Sequence, residues 1–283
     1  MRKSKLSGIY FHAAPTLIDQ QLNEAYLHEK GPGALPVKPG KENVKGIIVP
    51  QHKYDLAGPC MAWAYKALAE SHIPDIIIII GQSTTSEAGV TTEPYETPYG
   101  ILRVDQKFAQ DLVKRGNIKE NNSLFDDDEE IESQLPFLQF SLKSNIEKIK
   151  ILPILITPET KMKELAVDIK EILMDSKKKA AIIVPSNFTS YGRNYGYVPF
   201  SEDELNKVAE LDKGAIELIQ NNKPTDFLGY VEQHGMNMKN YLGIVMAMLI
   251  TKSHKVLLEQ YYTTADLNGD HKNFTSFAAL VIK

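Results

Sequence analysis

Seven residues are of types that could do chemistry. Gln51 and His52 follow the apolar run Gly46–Val49. Thr84 follows Ile76–Ile80, and Asn187 and Ser190 follow Ala180–Val184. Glu129 lies in the acidic run Asp126–Glu130, and His234 precedes the apolar stretch Met236–Ile250. Two amides, two hydroxyls, two imidazoles and one carboxylate amount mostly to neutral hydrogen bonding. A transition-metal site wants three or four nitrogen, sulfur or carboxylate donors and leans on histidine. Amides and hydroxyls hold such an ion weakly. Only His52, Glu129 and His234 bring stronger donors; folded onto one ion, they would make an iron, copper or zinc site with a position open to substrate. A metal-free alternative uses His234 as acid and base with Asn187 as oxyanion donor. Ser83 and Ser186 become nucleophiles only if folding brings His52 or His234 to one of them.

The elements that must position these residues are legible from hydrophobic patterning. Gly46–Val49, Asp75–Ile80 and Ala180–Val184 are short β-branched runs bounded by Gly and Pro. They read as strands buried on both faces, the pattern of a largely parallel sheet between helices. In such sheets the ligand crevice lies beyond the carboxyl ends of the strands, where the polar loops fall. Further strands are predicted over Ile101–Val104 and Ile149–Ile156. Helices are predicted over Thr16–Glu29, Gly58–Ser71, Asp105–Lys114, Glu130–Lys143, Lys161–Met174, Ser201–Gln220 and Met236–Ile250. Gly31–Gly40 is too rich in Gly and Pro for regular structure. Val256–Ala265 and Asn273–Ile282 read as a hairpin closed by a type I′ turn at Asn268-Gly269. Strand and helix alternate without repeats, which predicts an α/β fold: one domain over residues 1–283, its central mostly parallel or mixed sheet flanked by helices.

Composition narrows the function. The 283 residues carry a formal net charge of -4, which gives no electrostatic case for nucleic acid. No run reaches the 18 or so apolar residues of a membrane span, and no apolar stretch follows the basic N-terminus as in a secretory signal. A cytoplasmic protein is expected. One cysteine, Cys60, excludes an intrachain disulfide, and its apolar surroundings predict a buried thiol. No G-x-S-x-G, P-loop, H-E-x-x-H or G-x-G-x-x-G motif is present, which removes the usual hydrolase and nucleotide readings. His12 is expected to pack among the N-terminal aromatics, and His28, His72, His254 and His271 to lie at the surface. Asp126–Glu130 is expected to be solvated apart from Glu129, and Asp266–Asp270 to form the hairpin turn.

Taken together the loops resemble the Memo family, known also as protein B of the AmmeMemoRadiSam system. Its first motif, P-H-A-G-Y-x-Y-S-G-P, is matched in outline by Pro50-Gln51-His52-Lys53-Tyr54-Asp55-Leu56-Ala57-Gly58-Pro59. Gly81-Gln82-Ser83-Thr84 and Thr97-Pro98-Tyr99-Gly100 follow the second. Asp128-Glu129-Glu130-Ile131-Glu132-Ser133-Gln134-Leu135-Pro136-Phe137-Leu138-Gln139 follows the third, and its Gln134–Gln139 string is the most specific part. Pro185-Ser186-Asn187-Phe188-Thr189-Ser190-Tyr191-Gly192 follows the fourth, and His234-Gly235 a weaker fifth. The resemblance implies the fold of class III extradiol (LigB-like) dioxygenases. It also implies a pocket built on family histidines, a cysteine and an aspartate.

Gln51, Thr84, Glu129, Asn187, Ser190 and His234 stand at those positions here. The expectation is therefore a Memo-like pseudoenzyme with a degenerate metal site and no cofactor, binding a small polar ligand. The resemblance implies radical-SAM and AMMECR1-like proteins as partners, with neither nucleic acid nor membrane. The alternative is a metal-dependent oxidoreductase or dioxygenase-like enzyme rebuilt on His52, Glu129 and His234.

Overall fold

The computed structural model describes residues 1–252 and 255–283, so His254 lies outside the described residues. In chain order the elements are α1 (Pro15–Leu27), β1 (Gly46–Val49), α2 (Tyr54–Ala69) and β2 (Ile76–Gln82). The short strands β3 (Gly89–Val90), β4 (Tyr95–Thr97) and β5 (Gly100–Leu102) follow, then α3 (Gln106–Lys114), α4 (Leu135–Ser141) and β6 (Lys150–Ile156). After α5 (Met162–Ser176) come β7 (Ala180–Pro185), β8 (Ser190–Tyr191), α6 (Glu204–Gln220), α7 (Pro224–Gln233) and α8 (Tyr241–Thr251). The chain ends in β9 (Val256–Thr263), a helical turn α9 (Ala265–Asn268) and β10 (Phe274–Ile282).

The main sheet runs β3-β6-β2-β7-β1-β10-β8, with β9 also paired to β10. Strands β6, β2, β7 and β1 are parallel, whereas β3, β10, β8 and β9 pair antiparallel to their neighbours. Side chains alternate between faces at period two. Ile77 and Ile79 of β2 therefore join Ile47 and Val49 in a core capped by α1, α2 and α4. Ile76, Ile78 and Ile80 join Ile48, Ile182 and Val184 in a second core under α3, α5, α6, α7 and α8. Because the inner strands are covered on both faces, they read as unbroken apolar runs rather than alternating ones.

Several elements differ from the sequence expectation. The stretch expected as a helix from Glu130 divides into a 3-10 turn at Glu132–Gln134 and the short α4, with Pro136 at its start. The helix α7 has only Phe227 and Val231 buried, too little apolar patterning to announce it. β9 and β10 do form an antiparallel hairpin. Its connection is no two-residue turn, however, but the helical turn α9 ending at Gly269 with φ 72°. Asp266 favours that turn by accepting both the N–H and the hydroxyl of Thr263 at 2.7 and 2.9 Å. No helix of the described residues is long and apolar enough to cross a membrane.

Helix α2 begins at Tyr54, ahead of the expected Gly58, and carries Pro59 within it. The Tyr262 hydroxyl of β9 accepts from the Cys60 N–H at 3.2 Å and donates to the Leu56 carbonyl at 2.6 Å. A phenol thus stands between two groups that a regular helix would bond to each other, one way in which a helix absorbs an irregular turn. The Cys60 thiol beside it is fully buried. Tyr262→Phe should lower unfolding free energy by about 2 kcal/mol, by leaving two buried backbone groups unpaired. A denaturant titration checks this; a loss under about 0.5 kcal/mol would mean that the helix closes the gap by itself.

Candidate functional site

The carboxyl ends of β1, β2 and β7 come together because the strands are adjacent and parallel. Beyond them lies a cleft of about 650 Å³ lined by Gln51, Thr84 and Glu129 of the expected residues. Gln82, Asp128, Glu130, Lys239 and Asn240 line it as well. Behind it Gly81 leaves room for two lining residues, since a Cβ there would meet Leu155 Cδ2 at 2.7 Å and Glu130 Oε2 at 3.1 Å. A larger residue there would displace Glu130.

Asn187 is buried, and its amide is spent on the main chain. Its Oδ1 accepts the Gln51 N–H at 2.9 Å, and its Nδ2 donates to the Gln51 carbonyl at 2.8 Å. This clamps the loop after β1 to the loop after β7. The same device recurs one loop away: Asn237 Oδ1 accepts the Ser190 N–H at 2.9 Å, and Asn237 Nδ2 donates to the Ser190 carbonyl at 2.6 Å. The Ser190 hydroxyl lies 2.9 Å from that of Thr275. Asn240, with φ 52°, donates to the Ile80 and Pro185 carbonyls at 2.8 and 2.7 Å, and its Oδ1 caps α8 at Gly243. Three asparagines therefore bind β1, β2, β7 and the segment before α8 into one unit. Neither Asn187 nor Ser190 lines the cleft.

The remaining expected residues divide. Thr84 is exposed at the cleft mouth. Glu129 is exposed and accepts from the Tyr10 hydroxyl at 2.9 Å. His52 packs its ring against Tyr10 and Phe277, with centroids at 6.4 and 5.7 Å. Burial holds its pKa below the usual histidine value, and the charges of Lys239 and Lys53 push the same way. His234 is exposed at the end of α7, its Nδ1 2.9 Å from the Tyr230 carbonyl. The segment that reaches the cleft is Met238–Asn240.

The triad of His52, Glu129 and His234 is therefore not assembled, and no three His, Cys, Asp or Glu side chains among the described residues could hold a metal ion together. The donors that do line the cleft are amides, hydroxyls, a lysine and carboxyls engaged elsewhere, a set that does not fit a transition metal. The pairing of His234 with Asn187 fails as well, because Asn187 is committed to Gln51. Neither serine has a histidine partner: Ser83 bonds Thr85, and Ser186 donates to the Lys239 carbonyl at 2.6 Å.

The acidic run is not uniformly solvated. Asp128 accepts the N–H groups of Glu130 and Ile131 and pairs with Arg2 at 3.6 Å. Burial raises its pKa to about 6, against the pull of Arg2. Glu130 turns inward, its Oε2 accepting the Gln82 N–H at 2.8 Å, and burial pushes its carboxyl up to about 8. Gln51 Oε1 and Gln82 Oε1 are buried with no hydrogen-bond partner. Sequence reasoning missed Gln82, Glu130, Lys239 and Asn240, although Gln82 adjoins the expected loop and Glu130 is next to Glu129. His12, expected to pack, is exposed instead.

Behind the cleft, Asp212 of α6 is fully buried and props the loop after β7. It accepts from Thr189 Oγ1 at 2.6 Å and from the Tyr261 hydroxyl at 2.8 Å, and also from Ser276.

A mixed sheet with helices on both faces and a polar cleft beyond the carboxyl ends of its parallel strands defines a doubly covered α/β protein. The chain belongs to the Memo-like family, whose model matches residues 2–281. It is 24% identical to the MEMO1 family protein MK0963 of Methanopyrus kandleri over 100% of this chain and 99% of that one. It is 29% identical to the MEMO1 family protein MMP1387 of Methanococcus maripaludis, over 100% and 99% of the two chains. Among solved structures, the uncharacterized protein JW3007 of Escherichia coli K12 covers 74% of this chain and 86% of its own, at 14% identity and a TM-score of 0.46.

Burial raises Asp212 to about 6, above the roughly 3.9 of an unfolded aspartate. Between those values the folded state holds the proton that the unfolded state has lost, so stability falls as pH rises from about 4 to 6 and is level above. Asp212→Asn should remove about 2–3 kcal/mol of that decline. Asp128 and Glu130 would still contribute theirs. Urea titrations at pH 4, 5, 6 and 7 check this; an unchanged slope would mean that Asp212 is not desolvated.

Proposed function

We propose that this Memo-family protein binds a small polar ligand in the cleft beyond β1, β2 and β7, and that it runs no redox chemistry on a tightly held transition metal. One observation carries this reading. Asn187 and Ser190, which the family resemblance put in the pocket, are spent on structural bonds to Gln51, Asn237 and Thr275. Meanwhile the side-chain oxygens of Gln51 and Gln82 stay unpaired. Neutral amides and hydroxyls lining a concave site of this volume suit an organic ligand oriented by a few polar groups. The partners that go with the reading, on family grounds, are radical-SAM and AMMECR1-like proteins. The single buried thiol of Cys60 agrees with a cytoplasmic setting.

Elemental analysis of protein purified without a histidine tag tests the reading. Below about a tenth of an equivalent of iron, copper or zinc is expected, because no three-donor set converges among the described residues. Near one equivalent, surviving dialysis against a mild chelator, would contradict it.

A further inference from the structure

The acidic wall of the cleft is held from behind by the segment Arg2–Leu6. Arg2 lies beside Tyr95 of β4, its N–H donating to the Pro94 carbonyl at 2.9 Å and its carbonyl accepting the Glu96 N–H at 2.8 Å. Its buried guanidinium lies over the Tyr95 ring, 4.8 Å from the centroid. There it donates to the Asp128 carbonyl and, at 3.2 Å, to Glu132 Oε2. Glu132, only 1% exposed, gathers the rest of the segment on its Oε1. That oxygen accepts the Ser4 hydroxyl at 2.7 Å and the N–H groups of Lys5 and Leu6 at 2.7 and 2.8 Å.

This lock and the cleft wall share one turn. Asp128, which pairs with Arg2, also accepts the Glu130 and Ile131 N–H groups, and Glu130 in turn accepts the Gln82 N–H at 2.8 Å. Lifting the segment would strip Asp128 and Glu132 of their cation and leave two uncompensated carboxyls buried, which is strongly unfavourable. The turn would have to carry both to water, and Glu130 lies between them in the chain. The lock is also imperfect: Arg2 Nε and Nη1 are buried with no hydrogen-bond partner, and burial raises Asp128 even against the pull of Arg2. The outer pair of Lys5 with Asp127 is exposed and adds little. Elements held by few contacts open locally at a cost below that of global unfolding. We propose that Arg2–Leu6 is a strap locked by buried charge, and that its release and the loosening of the wall at Asp128–Glu130 are one event, so that the strap gates the cleft. The coupling is independent of what the cleft binds; only its use as a gate rests on the ligand-site reading.

Residue-resolved hydrogen exchange of the full chain tests this. The strap amides of Lys5 and Leu6 and the wall amides of Gln82, Glu130 and Ile131 should share one opening equilibrium. Both sets should exchange faster than the amides of β2 that lie between β6 and β7. Arg2→Met should lower the protection of both sets by the same factor, about tenfold or more, with the β2 amides still the slowest. Ser4→Ala, which removes one donor to Glu132 and spares the charge lock, should lower both by about fivefold. Lys5→Met should change neither. Protection lost at Leu6 but kept at Gln82, Glu130 and Ile131 would overturn the coupling. So would exchange of strap and wall only together with β2, since the strap would then open only when the whole protein unfolds. Either result would leave the ligand-site reading to the metal analysis.

Discussion

The structure turns on the paired hydrogen bonds between the Asn187 carboxamide and the main chain of Gln51. Parallel strands bring their carboxyl ends together but leave the following loops with backbone groups that no neighbouring strand satisfies. A carboxamide carries one acceptor and one donor at the spacing of a peptide group, so it can close both bonds of a loop residue at once. Asn187 does this for the loop after β1, and Asn237 does it for Ser190. Asn240 joins β2 and β7 to α8 by donating to two carbonyls and capping the helix. Each amide makes bonds that a metal-bound carboxylate or imidazole would not be free to make.

On the proposed reading, this is how the scaffold stands without an ion to hold its loops. The loops of a metal site are held by the ion, and removing it leaves buried polar groups to be satisfied in some other way. Here the clamping is done by side chain to backbone, supported by the buried Asp212 and its hydroxyl donors. Among the buried side-chain atoms left without a partner are the Gln51 and Gln82 oxygens, on two residues that line the cleft. Loops tied this firmly make a rigid receptor, which suits recognition of a small molecule.

Much of the fold was legible in the sequence because the inner strands are covered on both faces. Ile76–Ile80 and Ala180–Val184 could hardly be anything but buried strands, and their polar continuations marked the cleft's location. The failures are local and have physical reasons. Whether Glu129 or Glu130 turns inward depends on the turn that Asp128 builds by accepting two successive N–H groups, and composition does not reveal which neighbour that turn favours. His234 was placed by a two-residue match, whereas the segment that enters the cleft lies a few residues further on, ending at the left-handed Asn240. The position of α2 depends on Tyr262, some 200 residues away, a long-range contact that no local pattern carries.

The most direct measurement is the stability of Asn187→Asp as a function of pH, because it puts a carboxylate where the amide clamps the main chain of Gln51. A carboxylate there accepts the Gln51 N–H but faces the Gln51 carbonyl with no proton to offer. Unfolding free energy at pH 7 should fall by about 2–4 kcal/mol. The deficit should vanish below about pH 4, where the acid is protonated in both states and can donate again. An unchanged stability at pH 7, with uptake of a transition metal by the variant, would contradict the account.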